Sequence, residues 1–135
     1  MAKKFLFTII SADGKSFEAQ IDELNVETTD GVVGILAGHL PLVAHLKISN
    51  FNIKIDNSFK YFAITGGILS VEKDKTIILA DAFEESSEID KKRVLRAKER
   101  AENRLNGLAL NDNDFDRKRA ELALERALNR LKILK

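Results

Sequence analysis

Two periods divide the chain. Between residues 5 and 83 apolar side chains recur mostly at every second position: Phe51, Ile53 and Ile55 alternate with Asn52, Lys54 and Asp56, which places the two sets on opposite faces of a strand. After a turn at Asn57-Ser58, the run Phe59-Lys60-Tyr61-Phe62-Ala63-Ile64 predicts the next strand. Further β-rich runs lie at 5–11, 21–28, 67–71 and 76–80, bounded by turn-forming pairs at Asp13-Gly14, Asp30-Gly31, Gly66-Gly67 and Lys73-Asp74. Short strands with a turn roughly every 8 to 12 residues favour an antiparallel sandwich or barrel.

After Glu84 the composition turns to Ala, Leu, Arg, Lys and Glu, all strong helix formers, and Gly107 is the last glycine. A first helix is expected from about Glu88, with Val94, Ala97, Ala101, Leu105 and Leu108 forming one apolar stripe. A break follows over 106–114, where Asn111, Asp112, Asn113 and Asp114 can cap a new helix. The second helix runs from Phe115, with Ala120, Ala123, Leu124, Ala127, Leu128 and Leu131 as its stripe. The pattern thus predicts an α+β chain: a β-sandwich over 1–86 and an αα-hairpin over 87–135. A seam made mostly of alanine buries little area, and at roughly 25 cal/mol per Å² its docking is marginal, so the hairpin is expected to detach or extend, with a small ligand able to bias the balance.

Composition narrows the function. No stretch reaches the roughly 20 apolar residues of a membrane span, and polar residues interrupt the start too early for a secretory signal, so a cytoplasmic setting is expected, with membrane association only through partners. The absence of cysteine excludes disulfides and thiolate metal sites. The net charge of +1 hides an asymmetry: residues 1–87 carry 8 basic and 12 acidic side chains, residues 88–135 carry 14 and 9.

Catalytic candidates are few. His39 and His45 stand six apart in an apolar segment with no acidic residue between them, which favours a structural or interface role over metal or acid–base work. Nucleophile-elbow, phosphate-loop, dinucleotide and zinc-protease motifs are missing. The segment 31–43 is too apolar for an ordinary loop and holds Gly31, Gly34, Gly38 and the sole proline, Pro41; it fits a tight turn leading into a buried strand, a partner-facing loop, or both. Arg119, Arg126 and Arg130 share a helix face, with Arg93 early in the other helix; they suit either phosphate binding or a solvated face balanced by Glu99, Glu102, Glu121 and Glu125. A free-standing adaptor whose basic hairpin binds nucleic acid or an acidic partner is the alternative class, but Phe115 is the hairpin's sole aromatic for base stacking.

Three ordered signatures carry a resemblance. Gly34-Ile35-Leu36-Ala37-Gly38-His39-Leu40-Pro41-Leu42 is similar to a Gly-Ile-Leu-Pro-Gly-His-x-Pro-Leu pattern, with Ala37 in place of proline. Thr65-Gly66-Gly67-Ile68-Leu69-Ser70-Val71 resembles Ser-Gly-Gly-Phe-Leu-Glu-Val and leads into 76–81. In the tail, Phe115, then 119–124 and 126–131, complete the set. Over essentially its whole length the chain resembles the epsilon subunits of bacterial F-type ATP synthases.

That resemblance implies a ten-stranded sandwich plus helical hairpin in a non-catalytic rotor subunit on the cytoplasmic face of the membrane. It implies that the sandwich clamps the gamma subunit and sits on the polar loops of the c-ring, with Gly31, Val32, Gly38, His39, Pro41 and Leu42 facing those partners; Val32 stands where the family often has Glu. It implies that the hairpin, when extended, enters the alpha/beta hexamer beside an acidic loop of the beta subunit and impedes ATP hydrolysis. It also implies a regulatory ATP site, no cofactor being required: the family's Ile-Asp-x-x-Arg-Ala motif is matched by Ile89, Asp90 and Arg93, with Val94 for alanine, joined by Glu84, Arg126 and Arg130. Magnesium dependence is left open.

Overall fold

A computed structural model describes residues 3–107 and 114–134. Eight strands precede two helices: β1 Phe5–Ser11, β2 Ser16–Ile21, β3 Glu23–Thr28, β4 Gly31–Ile35, β5 Leu42–Ile55, β6 Ser58–Glu72, β7 Lys75–Ala80, β8 Phe83–Glu85, α1 Lys91–Gly107 and α2 Asp114–Lys132. They form one hydrogen-bonded path, β2-β1-β7-β6-β5-β3-β4, with β8 added to β6. All pairings are antiparallel except β1 with β7.

The path rolls onto itself as a sandwich. Phe7 of β1 meets Phe51 of β5 at 5.8 Å, and Phe17 of β2 meets Phe62 of β6 at 5.3 Å, although neither pair of strands is adjacent in the path. Phe51 stacks on its cross-strand partner Phe62 at 4.8 Å. Around this aromatic centre Ile9, Ile21, Leu24, Ile35, Ile53, Ile64, Leu69 and Ile78 are also buried. Each such side chain contributes roughly 1.5–3 kcal/mol relative to exposure, which makes this the cohesive part of the molecule.

The expected ten strands are eight, because β5 and β6 are long, 14 and 15 residues, and serve both layers without a break. Gly66-Gly67 is therefore not a turn but lies inside β6. A Cβ at Gly67 would sit 2.3 Å from the Leu79 carbonyl oxygen, so the glycine is there to let β7 approach. The turn expected at Asn57-Ser58 falls one residue earlier: Asp56 and Asn57 adopt φ of +48° and +69°, as a two-residue hairpin with positive φ at both central positions requires, and Asp and Asn tolerate that region best after glycine.

A second, small core joins the hairpin to the sandwich: Ala63 of β6 with Ile89, Val94 and Ala127, flanked by Leu131, Ile133 and Leu134. In α1, Val94 and Ala101 are buried and Ala97 and Leu105 half-buried, as the stripe predicts; Leu108 and the capping residues 111–113 lie outside the described residues. The helix begins at Lys91 rather than near Glu88, because Ser86–Glu88 forms a separate 3-10 turn and Asp90 caps α1, its Oδ1 accepting the Arg93 N–H at 3.2 Å. In α2, Ala120 and Ala127 are fully buried, but Leu128 is 40% exposed and the neighbouring Asn129 only 6%. At about 100° per residue Asn129 lies opposite Ala120, so α2 has two covered sides, α1 on one and strands β5 and β6 on the other. Leu128 falls at the edge between them.

Candidate functional site

A cleft of about 430 Å³ opens where β8, the 3-10 turn and both helices meet, lined by Glu84, Glu88, Asp90, Arg93, Val94, Ala97, Arg100 and Arg130. The capped start of α1 fixes Asp90 and Arg93 at its mouth, and Arg100, seven residues on, repeats the face of Arg93. From α2, Arg130 Nε donates to Glu84 Oε1 at 2.6 Å, a half-exposed bond that joins the hairpin to the sandwich. Glu88 accepts from Lys15 Nζ at 2.8 Å and from the Glu85 N–H at 3.1 Å, and the lysine bond, followed by the backbone one, holds its carboxyl below the usual glutamate range. Lys15 is itself anchored, donating to the Phe83 carbonyl at 3.1 Å with its ammonium 4.8 Å from the Phe83 ring centre.

Among the described residues no carboxylate lies within 4 Å of the Arg93 or Arg100 guanidinium. The cleft therefore offers guanidinium donors to an anion on one flank and carboxylate acceptors on the other. No group of three or more His, Asp or Glu residues suited to a metal occurs among the described residues.

Of the six residues proposed from sequence, Glu84, Asp90, Arg93 and Arg130 line this one cleft. Ile89 does not; it is buried in the small core under the cleft. Arg126 sits a turn before Arg130, in a narrow crevice beside Glu84 and Asn129, and also borders a depression of about 160 Å³ shared with Arg104 and Arg119. Sequence reasoning missed Glu88 and Arg100. The seven-residue spacing from Arg93 was signal enough to find Arg100; Glu88 had none, because its place depends on the 3-10 turn and on Lys15.

The second candidate surface is the segment 31–42. His39 N–H donates to the Leu36 carbonyl at 3.1 Å, closing a turn in which Gly38 has φ of +82°, and His39 Nδ1 is 2.6 Å from the Leu40 carbonyl. The turn is as expected, but the strand after it is not buried: Leu42 to His45 alternate half-buried and exposed, none of the described residues covering the outer face of β5 there. Val32 (76%), Leu40 (79%) and Val43 (74%) stand in solvent. The cross-strand row His45, Ile68, Leu79, Ile10 continues the exposed apolar surface over β6, β7 and β1.

Residues 4–86 match the family model for the ATP synthase delta/epsilon chain β-sandwich domain, and residues 87–135 the model for its long alpha-helix domain. The chain belongs to the ATP synthase delta/epsilon family. It is an epsilon chain of the bacterial F type: the ATP synthase epsilon chain of Bacillus velezensis is 46% identical over 98 residues, 73% of this chain and 74% of that one. That of Alkalihalophilus pseudofirmus is 45% identical over 107 residues, covering 79% and 80%. In fold, the chain is similar to one in the Euglena gracilis mitochondrial ATP synthase, with a TM-score of 0.83, 20% identity and coverage of 100% and 84%. In this epsilon chain the cleft straddles the two family domains, with Glu84 on the sandwich side and the arginines on the helical side.

Proposed function

We propose that this epsilon subunit is a non-catalytic part of the central stalk, held at the cytoplasmic face of the membrane through the complex and without a nucleic-acid partner. Residues 1–86 bind the gamma subunit and the polar loops of the c-ring, using the exposed apolar surface around Val32, Leu40 and Val43. Residues 87–135 form the regulator: extended, the cationic hairpin enters the alpha/beta hexamer against the acidic beta-subunit loop and slows ATP hydrolysis; folded, it permits rotation. ATP binds in the cleft and favours the folded form, its phosphates on Arg93, Arg100 and Arg130, with Arg126 at the rim and the nucleoside toward Glu84 and Asp90.

The observation that carries this proposal is the division of one cleft between two domains, Glu84 from β8 and Arg93, Arg100 and Arg130 from the helices. A ligand bridging those groups stabilises the folded form alone, by an amount that grows with its concentration over its Kd. Isothermal titration of the purified chain with ATP, and with ADP for comparison, tests it. Saturable one-to-one binding that Arg93→Ala weakens at least about tenfold is expected, the loss of a charge-assisted bond being worth roughly that much. No saturation at millimolar ATP would remove the ligand from the account and leave the arginines as a face for the hexamer.

A further inference from the structure

Asn129 is a polar residue in the last turn of α2, buried to 6% exposure, where an amide is costly unless both of its ends are used. Both are. Its Nδ2 donates to the Ser49 carbonyl of β5 at 2.6 Å, and its Oδ1 accepts from Asn50 Nδ2 at 3.3 Å. These bonds cross about 80 residues of sequence and join the last turn of α2 to the middle of β5. Beside them on the sheet the buried apolar residue is Ala63, the cross-strand partner of Asn50; Ala127 lies about 200° around the helix from Asn129, toward α1, and the rest of the shared cluster on α2 and just beyond is the partly buried Leu131, Ile133 and Leu134. Arg130 is the next residue along, reaching Glu84 at the cleft.

We propose that Asn129 is a positioning residue, a polar clasp that seats α2 on the sandwich in one register and thereby delivers Arg130 to the cleft. A seat made of oil would tolerate sliding by a turn; an amide that must meet one carbonyl and one amide at the same time does not. The clasp also releases without leaving an unpaired group, because in the undocked helix the Asn129 amide and the Ser49 carbonyl regain water. Nucleotide binding depends on the clasp without touching it. That last consequence rests on the proposed ATP site, whereas the seating itself does not.

Amide hydrogen exchange on the full chain, paired with ATP titration, separates the two. Asn129→Leu and Asn129→Asp both keep the branched side-chain skeleton and remove the donor; the first makes the contact more apolar. If the amide is a clasp, both variants lower protection of α2 amides about tenfold or more while β1, β6 and β7 keep theirs, and both weaken ATP about as much as they loosen α2. Asn50→Ala, which removes only the longer bond, gives the same effect at smaller size and guards against a variant that misfolds. If Asn129→Leu seats α2 as well as or better than Asn, packing rather than hydrogen bonding sets the docking and the clasp is refuted. If the native chain fails to bind ATP, the nucleotide proposal falls, and the clasp is still judged on exchange alone.

Discussion

Phe51 and Ala127 are equally buried, 1% and 0% exposed, but the layers around them are held by different physics. Phe51 stands in an aromatic cluster with Phe7 and Phe62, fed by residues from most strands of the sandwich. Ala127 belongs to a core of four buried residues without an aromatic, supplemented by the Asn129 bonds and the Arg130–Glu84 pair. The first depends on area withdrawn from water, the second on a few directional contacts in partly wet surroundings. Fewer buried residues and more directional contacts make the helical part the one expected to open first.

The largest effect is expected where area matters most. Phe51→Ala leaves a cavity among the stacked rings and should destabilise the whole chain by about 3–5 kcal/mol, read from denaturant unfolding by circular dichroism. A loss below about 1 kcal/mol would break the contrast from the sandwich side. Ala127→Leu overfills the seam and is expected to cost about 1–3 kcal/mol, confined to the helices. Its check is exchange at α1 and α2, with β-sheet amides unmoved; a uniform loss would merge the two regions into one.

Arg130→Ala removes a half-exposed pair and should change stability by no more than about 1 kcal/mol, while weakening ATP binding at least about tenfold. Equal small effects on both would show that the bond is decoration. The smallest effect concerns acid. Glu88 has a folded pKa below its ordinary 4.5, so it adds stability that is fully present above 4.5 and is lost as pH falls through the folded value. Lys15→Met removes the largest cause, and the acid limb of the melting-temperature profile below pH 4.5 should flatten. At the alkaline end Lys4, raised above 10.5 by Asp56 and Asp22, adds stability that is present below 10.5 and lost as pH climbs through the raised value. That contribution belongs to the sandwich and is not altered by Lys15→Met.

How much of this was legible in sequence follows from how local each cause is. Strand β1 matches the alternation over 5–11 residue for residue, and Glu84, Asp90, Arg93 and Arg130 do converge. The alternation of Phe17, Ala19 and Ile21 with Ser16, Glu18 and Gln20 was present too, yet β2 was passed over because its core-facing residues are few. Gly66-Gly67 misled for a physical reason: the pair looks the same whether it turns the chain or clears space for a neighbour, and only the position of Leu79 decides. Asn129 was illegible, since an asparagine near a helix end reads as surface and its partners lie some 80 residues away. Leu128 was misassigned with it, because a helix covered on two sides does not show a single stripe.

If the hairpin opens separately from the sandwich and ATP selects its docked form, the two regions must differ in exchange. Native-state hydrogen exchange of the full chain, with and without saturating ATP, reads that difference. Without ATP the α1 and α2 amides should exchange well before those of β1, β6 and β7, and ATP should slow the helices by a factor close to one plus its concentration over Kd while leaving the sheet unchanged. Helices and sheet exchanging together, or ATP protecting both alike, would contradict it.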